Sequence, residues 1–217
     1  MFQFRAVSVS PAESAQPPRL ATSQLKRMRA IVDAAVSLAE RGGFDGVRLR
    51  DVAEASGVAL GTLYKYFRSK EEILLFAVNE DMERLEAVMH ERPPRGGTPT
   101  ERLSEFFARA TRGFVRRSDY AQAVLRATAA GDASTAVQQA GFHLRLSRMV
   151  VAALRGEAPP IAKPLTEPVG TEREQRIALV LEHVWFACLL GWVSGLHPVK
   201  TVTERMRDAV SLLLEQA

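Results

Sequence analysis

Thr62, Tyr64, Lys65 and Tyr66 place two phenols, a hydroxyl and an ammonium within one short stretch, and Arg48 and Lys70 add cations on either side. Two tyrosines turned outward from a helix waste apolar area in water. Beside a nucleic-acid duplex each ring can touch a thymine methyl or a sugar, and each hydroxyl can bond a phosphate oxygen. The competing reading is two surface tyrosines on an ordinary helical hairpin. Catalytic chemistry has no comparable set. His90, His143, His183 and His197 are scattered, without a His-Glu-x-x-His or Cys-x-x-Cys pair, so no metal ligand set is expected and no cofactor is implied. Neither a Gly-x-Ser-x-Gly elbow nor a phosphate loop occurs. A helical enzyme using dispersed residues is the weak alternative.

The elements that must position these side chains can be read on either side of Gly57. Leu49, Val52 and Ala53 share one helical face, and the small Ala53 admits a close neighbour. Gly57 then breaks the helix, where a turn needs positive φ. Val58 and Leu63 are expected to pack back, leaving Thr62, Tyr64, Lys65 and Tyr66 outward. That is the pattern of a helix-turn-helix. Charge agrees with it: through Lys70 there are 11 Lys and Arg against 6 Asp and Glu, and after it 18 against 19. The positive excess sits where a phosphate-neutralising surface would hold it. A Lys-rich amphipathic face for a membrane surface is not apparent.

Residues Gly43 to Leu74, including Gly-Thr-Leu-Tyr-Lys-Tyr-Phe followed by Ser-Lys-Glu, resemble the DNA-binding domain of the TetR family of bacterial repressors. With the preceding helix from about Ser23 to Arg41, the resemblance implies a three-helix N-terminal domain, an all-helical ligand-binding and dimerisation body, and a homodimer on a near-palindromic operator. The sequence departs from the family pattern at two places. Val47 with Arg48, and Ala59 with Leu60, stand where the family often has Ser or Thr, so one side-chain cap is forfeited and Ala59 and Leu60 offer van der Waals contact. On this resemblance the DNA-contacting set is Arg48, Ala59, Leu60, Thr62, Tyr64, Lys65, Tyr66 and Lys70.

The expected fold is all-α, divided into an N-terminal arm at 1–20, a helix-turn-helix domain at 21–68 and a ligand-binding and dimerisation domain at 69–217. The arm is expected to be disordered, with Pro11, Pro17 and Pro18 and no apolar signal segment. Arg5 and Arg19, with Lys26, Arg27 and Arg29, could reach phosphates. A cytoplasmic protein is expected; the single Cys188 excludes an internal disulfide and reads as a small core hydrophobe. Helical spacing continues from Lys70 to His90, from Thr98 or Thr100 through Phe114, from Ser118 to near Gly131, and from about Ala133 to Leu154. A loop with Pro159, Pro160, Pro164 and Pro168 follows and is expected to be mobile.

Residues 177–196 are apolar around nearly the whole helix circumference, which demands cover on every side. One flank can face the core, and the other asks for a second copy. The final helix, Val202 to Leu214, supplies another stripe, so the last two helices are expected to form a four-helix dimer seam, with Gly191 and Gly195 permitting close approach. Phe107, Phe114, Phe142, Met149, Trp185 and Phe186 supply the large apolar surface of a candidate effector pocket, with core packing as the alternative for each. Gly-Asp-Ala-Ser-Thr-Ala at 131–136 and His-Val-Trp-Phe-Ala-Cys-Leu-Leu-Gly-Trp at 183–192 are similar to the steroid-catabolism repressors of the same family, the KstR type. That similarity implies a small apolar effector, a steroid or an acyl-CoA thioester, with Arg145 and Arg148 at a pocket mouth. A ligand-independent architectural DNA binder is the other expectation left open.

Overall fold

The computed structural model describes residues 22–130, 135–161, 164–165 and 168–215. Arg5, Arg19 and the remainder of the expected arm lie outside these residues. So do most of the 131–136 string and positions 162–163 and 166–167 of the Pro-rich loop. Among the described residues the regular structure is entirely helical: α1 (Thr22–Gly46), α2 (Leu49–Ser56), α3 (Leu60–Leu63), α4 (Lys70–Glu91), α5 (Pro99–Val115), α6 (Ser118–Ala129), α7 (Ala136–Arg155), α8 (Glu172–Val193) and α9 (Val199–Leu214).

Local chemistry sets many of these boundaries. The backbone leaves helical geometry within α1 at Gly42 and Gly43, the latter at φ 59°. Gly57 closes α2 at φ 67°, and its N–H and that of Val58 bond carbonyls of the last turn. Arg48 precedes α2 without a side-chain cap, as the Val47-Arg48 pair led us to expect. Where a capping residue is present it is used. The Ser69 hydroxyl accepts from the Glu72 N–H, and Thr98 with Glu101 and Thr171 with Glu174 form reciprocal capping boxes at α5 and α8.

Two apolar cores organise the helices. The first joins Ile31, Val52, Leu63, Phe67 and Leu74 to Tyr120, Ala123 and Val124, so α6 completes the packing of the N-terminal helices. The second brings Phe106 and Phe107 of α5 against Met149, Leu181, Trp185 and Met206. Within it the Trp185 indole N–H donates to the Thr111 hydroxyl at 2.9 Å, which satisfies a buried donor.

Among the described residues α8 is the one helix long and apolar enough to cross a membrane. Its inner flank, including Leu181, Trp185 and Leu189, is instead buried in the second core. The opposite flank leaves Leu179 50% and Val180 44% exposed, and Leu212 of α9 is 67% exposed. The expected role of Gly195 is corrected: it lies beyond α8 in a turn at φ 72°, where the Leu196 N–H returns to the Gly191 carbonyl. Gly191 makes room within its own chain. A Cβ there would stand 2.5 Å from Nε2 of His197.

Candidate nucleic-acid interface and apolar cleft

The element that follows Gly57 is shorter than the sequence pattern suggests. One turn of α3 passes into successive turns, with the Lys65 N–H bonding the Thr62 carbonyl and the Tyr66 N–H bonding that of Leu63. Leu63 and Phe67 are buried beneath it and fix its rotation. Arg48, Ala59, Tyr64 and Lys65 are consequently exposed, with Tyr64 at 51%. Leu60, Thr62 and Tyr66 are half-buried. Tyr66 does not stand freely outward as its sequence position suggested; it packs against the first core, as does Leu60.

Lys70, expected among the DNA contacts, also has partners within the chain. Its ammonium donates to the Phe44 carbonyl at 2.9 Å and lies 3.7 Å from the centre of the Phe44 ring. It therefore ties the start of α4 to the end of α1. Arg126 of α6 approaches the same ring at 4.8 Å and pairs with Asp45 at 2.7 Å. Phe44 is thus held by two cations, one from each helix that supports the N-terminal unit.

A cleft opens among α4, α5, α6, α7 and α8. Its interior measures about 210 Å³, and about 880 Å³ with its open mouth included. Leu75 and Val78 of α4 and Val124, Leu125 and Thr128 of α6 form one wall. Phe114, Phe142, Trp185 and Phe186 line the remainder, together with Leu189. Phe107 and Met149, expected beside them, are instead core residues at 0% and 1% exposure; the Phe107 ring meets Trp185 at a tilt, 5.8 Å between centres.

Arg145 and Arg148 do not stand at the mouth. Arg145 reaches Glu83 at 2.7 Å and Glu86 at 2.6 Å, and Arg148 reaches Glu86 at 2.7 Å, a largely buried network that joins α7 to α4. The polar residues that do line the cleft escaped the sequence pattern: Thr128, Gln139, His143, Glu182 and His183. Glu182 offered a visible signal, because a carboxylate inside an otherwise apolar run has to find a partner.

Known proteins resolve what this arrangement belongs to. Residues 31–77 match the family described as bacterial regulatory proteins, tetR family, and residues 96–213 match the tetracyclin repressor-like C-terminal domain. The chain belongs to the TetR family of bacterial regulators. It is 32% identical over 192 residues to the HTH-type transcriptional repressor KstR of Mycolicibacterium smegmatis, covering 88% of this chain and 89% of that one. A TetR transcriptional regulator from Rhodococcus sp. RHA1 superposes with a TM-score of 0.76 at 22% identity, covering 88% of this chain and 97% of the other. The Thermus thermophilus TetR-family repressor FadR, in complex with lauroyl-CoA, superposes with a TM-score of 0.66 at 22% identity over 87% and 93% of the two chains. A TetR regulator is a DNA-binding protein and not an enzyme. The basic N-terminal unit and the helical body thereby acquire their family setting.

Proposed function

We propose that this TetR-family protein is a cytoplasmic dimeric repressor that leaves its operator when a large apolar effector, of steroid or acyl-CoA thioester type, enters the cleft. One observation carries the reading: the cleft wall is built from α4 and α6, and the same two helices grip the N-terminal unit through Lys70 and Arg126. A guest that displaces Val124, Leu125 or Thr128 moves the helix that bears Arg126. Similarity to KstR and to an acyl-CoA-bound TetR repressor supports the effector class. The exposed α8 and α9 faces supply the homodimer seam.

DNA is met by Arg48, Ala59, Leu60, Thr62, Tyr64, Lys65 and Tyr66. Lys70 completes the set from the start of α4, where one of its three donors holds α4 and α1 in register and the others remain for a phosphate. Two such surfaces must face half-sites about 34 to 36 Å apart, so a small change in their separation is enough to lose binding. Release requires the effector to bind the wrongly spaced form more tightly. Titrating steroids and long-chain acyl-CoA thioesters against the operator complex tests the reading. Intact operator binding with release by none of them would indicate a ligand-independent DNA-binding protein.

Tyr64→Ala is expected to weaken specific operator binding by about 1 to 3 kcal/mol while leaving thermal unfolding unchanged, since half of this ring is already in water. Operator titration beside a melting curve checks both halves. Normal specific affinity would remove Tyr64 from the contact set.

Arg126→Ala should act on coupling instead. The guanidinium is exposed and touches the N-terminal unit at Asp45 and Phe44, while its neighbours Leu125 and Thr128 face the cleft. Effector affinity for the free protein should stay near wild type. The factor by which saturating effector weakens operator binding should fall severalfold, a loss within the usual coupling range of about 1 to 3 kcal/mol. An unchanged factor would place the coupling elsewhere.

A further inference from the structure

The cleft is largely apolar, and its one ion pair stands on the inner flank of α8. Glu182 of α8 is 5% exposed and lies between Leu181 and Trp185 on the inner flank of the helix. A carboxylate in that setting is tolerated only with a close partner. Its partner is His143 of α7, whose Nδ1 meets Glu182 Oε1. Both residues line the cleft, and half of the His143 side chain remains open.

The polar neighbours are already turned toward the protein. The Thr128 hydroxyl donates to the Val124 carbonyl at 2.9 Å. Gln139 Nε2 lies 3.5 Å from the Thr128 carbonyl and from the Thr135 hydroxyl. His183 Nδ1 is 2.7 Å from the Leu179 carbonyl of its own helix. Lys and Arg are absent from the cleft lining among the described residues, so His143, Glu182 and His183 are its titratable groups.

The hydrogen bond to Glu182 raises the His143 pKa above the ordinary histidine value, against the opposing effect of burial. The imidazolium therefore persists to higher pH than in a free histidine. With Nδ1–H committed to the carboxylate, the donor it can offer a guest is Nε2–H.

We infer that the His143–Glu182 pair selects effectors whose apolar body carries a hydrogen-bond-accepting oxygen, such as a ring ketone, over bare hydrocarbon of the same shape. This deepens the proposed function and rests on the cleft being the effector site. A hydrocarbon that covers the pair strips water from the imidazolium and returns no acceptor. A ketone oxygen restores one.

The test uses the full-length protein and two probes with one tetracyclic skeleton, androstan-3-one and androstane, with binding read from tryptophan fluorescence. Wild type is expected to prefer the ketone by about tenfold or more, the scale of a hydrogen bond to a charged donor. His143→Phe keeps an aromatic ring at a half-open position and should bind both probes with nearly equal affinity. In wild type the preference should hold at low pH and decline as pH rises through the raised pKa of His143. In Glu182→Gln the decline should move to lower pH, a shift that a purely structural role for Glu182 would not produce. Equal binding of the two probes by wild type, or a full preference retained in His143→Phe, would overturn the inference while leaving the cleft as an effector site. Binding of neither probe, with no operator release by any steroid or acyl-CoA thioester, would overturn the effector-site reading itself and the inference with it.

Discussion

Val180→Arg is expected to convert the dimer into a monomer and to abolish tight operator binding. Val180 and Leu179 lie on the α8 flank turned away from the core, at 44% and 50% exposure in the single chain. Arginine at this position therefore disturbs little packing within a subunit, where exposed substitutions usually stay within about 0.5 kcal/mol. In a two-fold seam the same change brings two unpaired guanidinium groups into apolar contact. Each costs several kcal/mol, and about 1.4 kcal/mol is already a factor of ten in dissociation. Loss of the second half-site contact then removes the avidity of the pair. Sedimentation velocity and operator titration report the two effects. Val137→Arg, at an exposed valine on α7, is the control and should remain dimeric. A Val180→Arg protein that sediments like wild type would move the seam off α8. Gly195→Arg is a poorer probe, because it would strain a turn that requires positive φ.

The features legible in the sequence were those fixed by neighbours along the chain. Gly57 announces a left-handed turn because side chains rarely accept that geometry, and the structure has φ 67° there. A threonine start to α5 was legible as Thr98 or Thr100, and the structure uses Thr98, in a reciprocal pair of hydrogen bonds with Glu101. The circumferential apolarity of residues 177–196 likewise announced a helix needing cover on two sides, and one side is found in the core.

What remained illegible was decided by contacts between distant segments. Phe107 and Phe114 occupy one face of α5 two turns apart, yet the first is sealed in the core and the second opens on the cleft. Their positions in sequence are equivalent; the difference comes from how the other helices pack along α5, which helical spacing does not record. Arg145 and Arg148 read as cations available to an anionic guest, because Glu86 on another helix is invisible to helical spacing on α7. The His143–Glu182 pair was hidden for the same reason, although Glu182 alone was conspicuous inside its apolar run. Tyr66 was misplaced by a backbone detail. Since α3 gives way to turns after Leu63, a phenol assigned to the outer face of a longer helix packs partly inward.

The division between core and cleft predicts opposite consequences for aromatics that the sequence placed together. Phe107→Ala is expected to lower the free energy of unfolding by about 3 to 5 kcal/mol, since a fully buried ring leaves a cavity that rigid neighbours cannot fill. Phe106 meets that ring edge-on and Trp185 meets it at a tilt, and both would lose a packing partner. Met149→Trp, at another sealed position, should lower stability by about 1 to 3 kcal/mol through overpacking. In both variants the molecules that remain folded should bind effector with an affinity close to wild type. Phe186→Ala should do the reverse. Its ring is half-buried and lines the cleft, so truncation relieves little core packing but removes a contact surface for the guest. Effector affinity is expected to drop about tenfold or more, the equivalent of the roughly 1.5 to 3 kcal/mol that burial of such a side chain contributes. Urea unfolding of the three variants beside effector titration separates the cases. Were Phe107→Ala to unfold like wild type and bind effector weakly, the ring would belong to the cleft, and the boundary between the second core and the effector site would have to move along α5 from Phe114 to include Phe107.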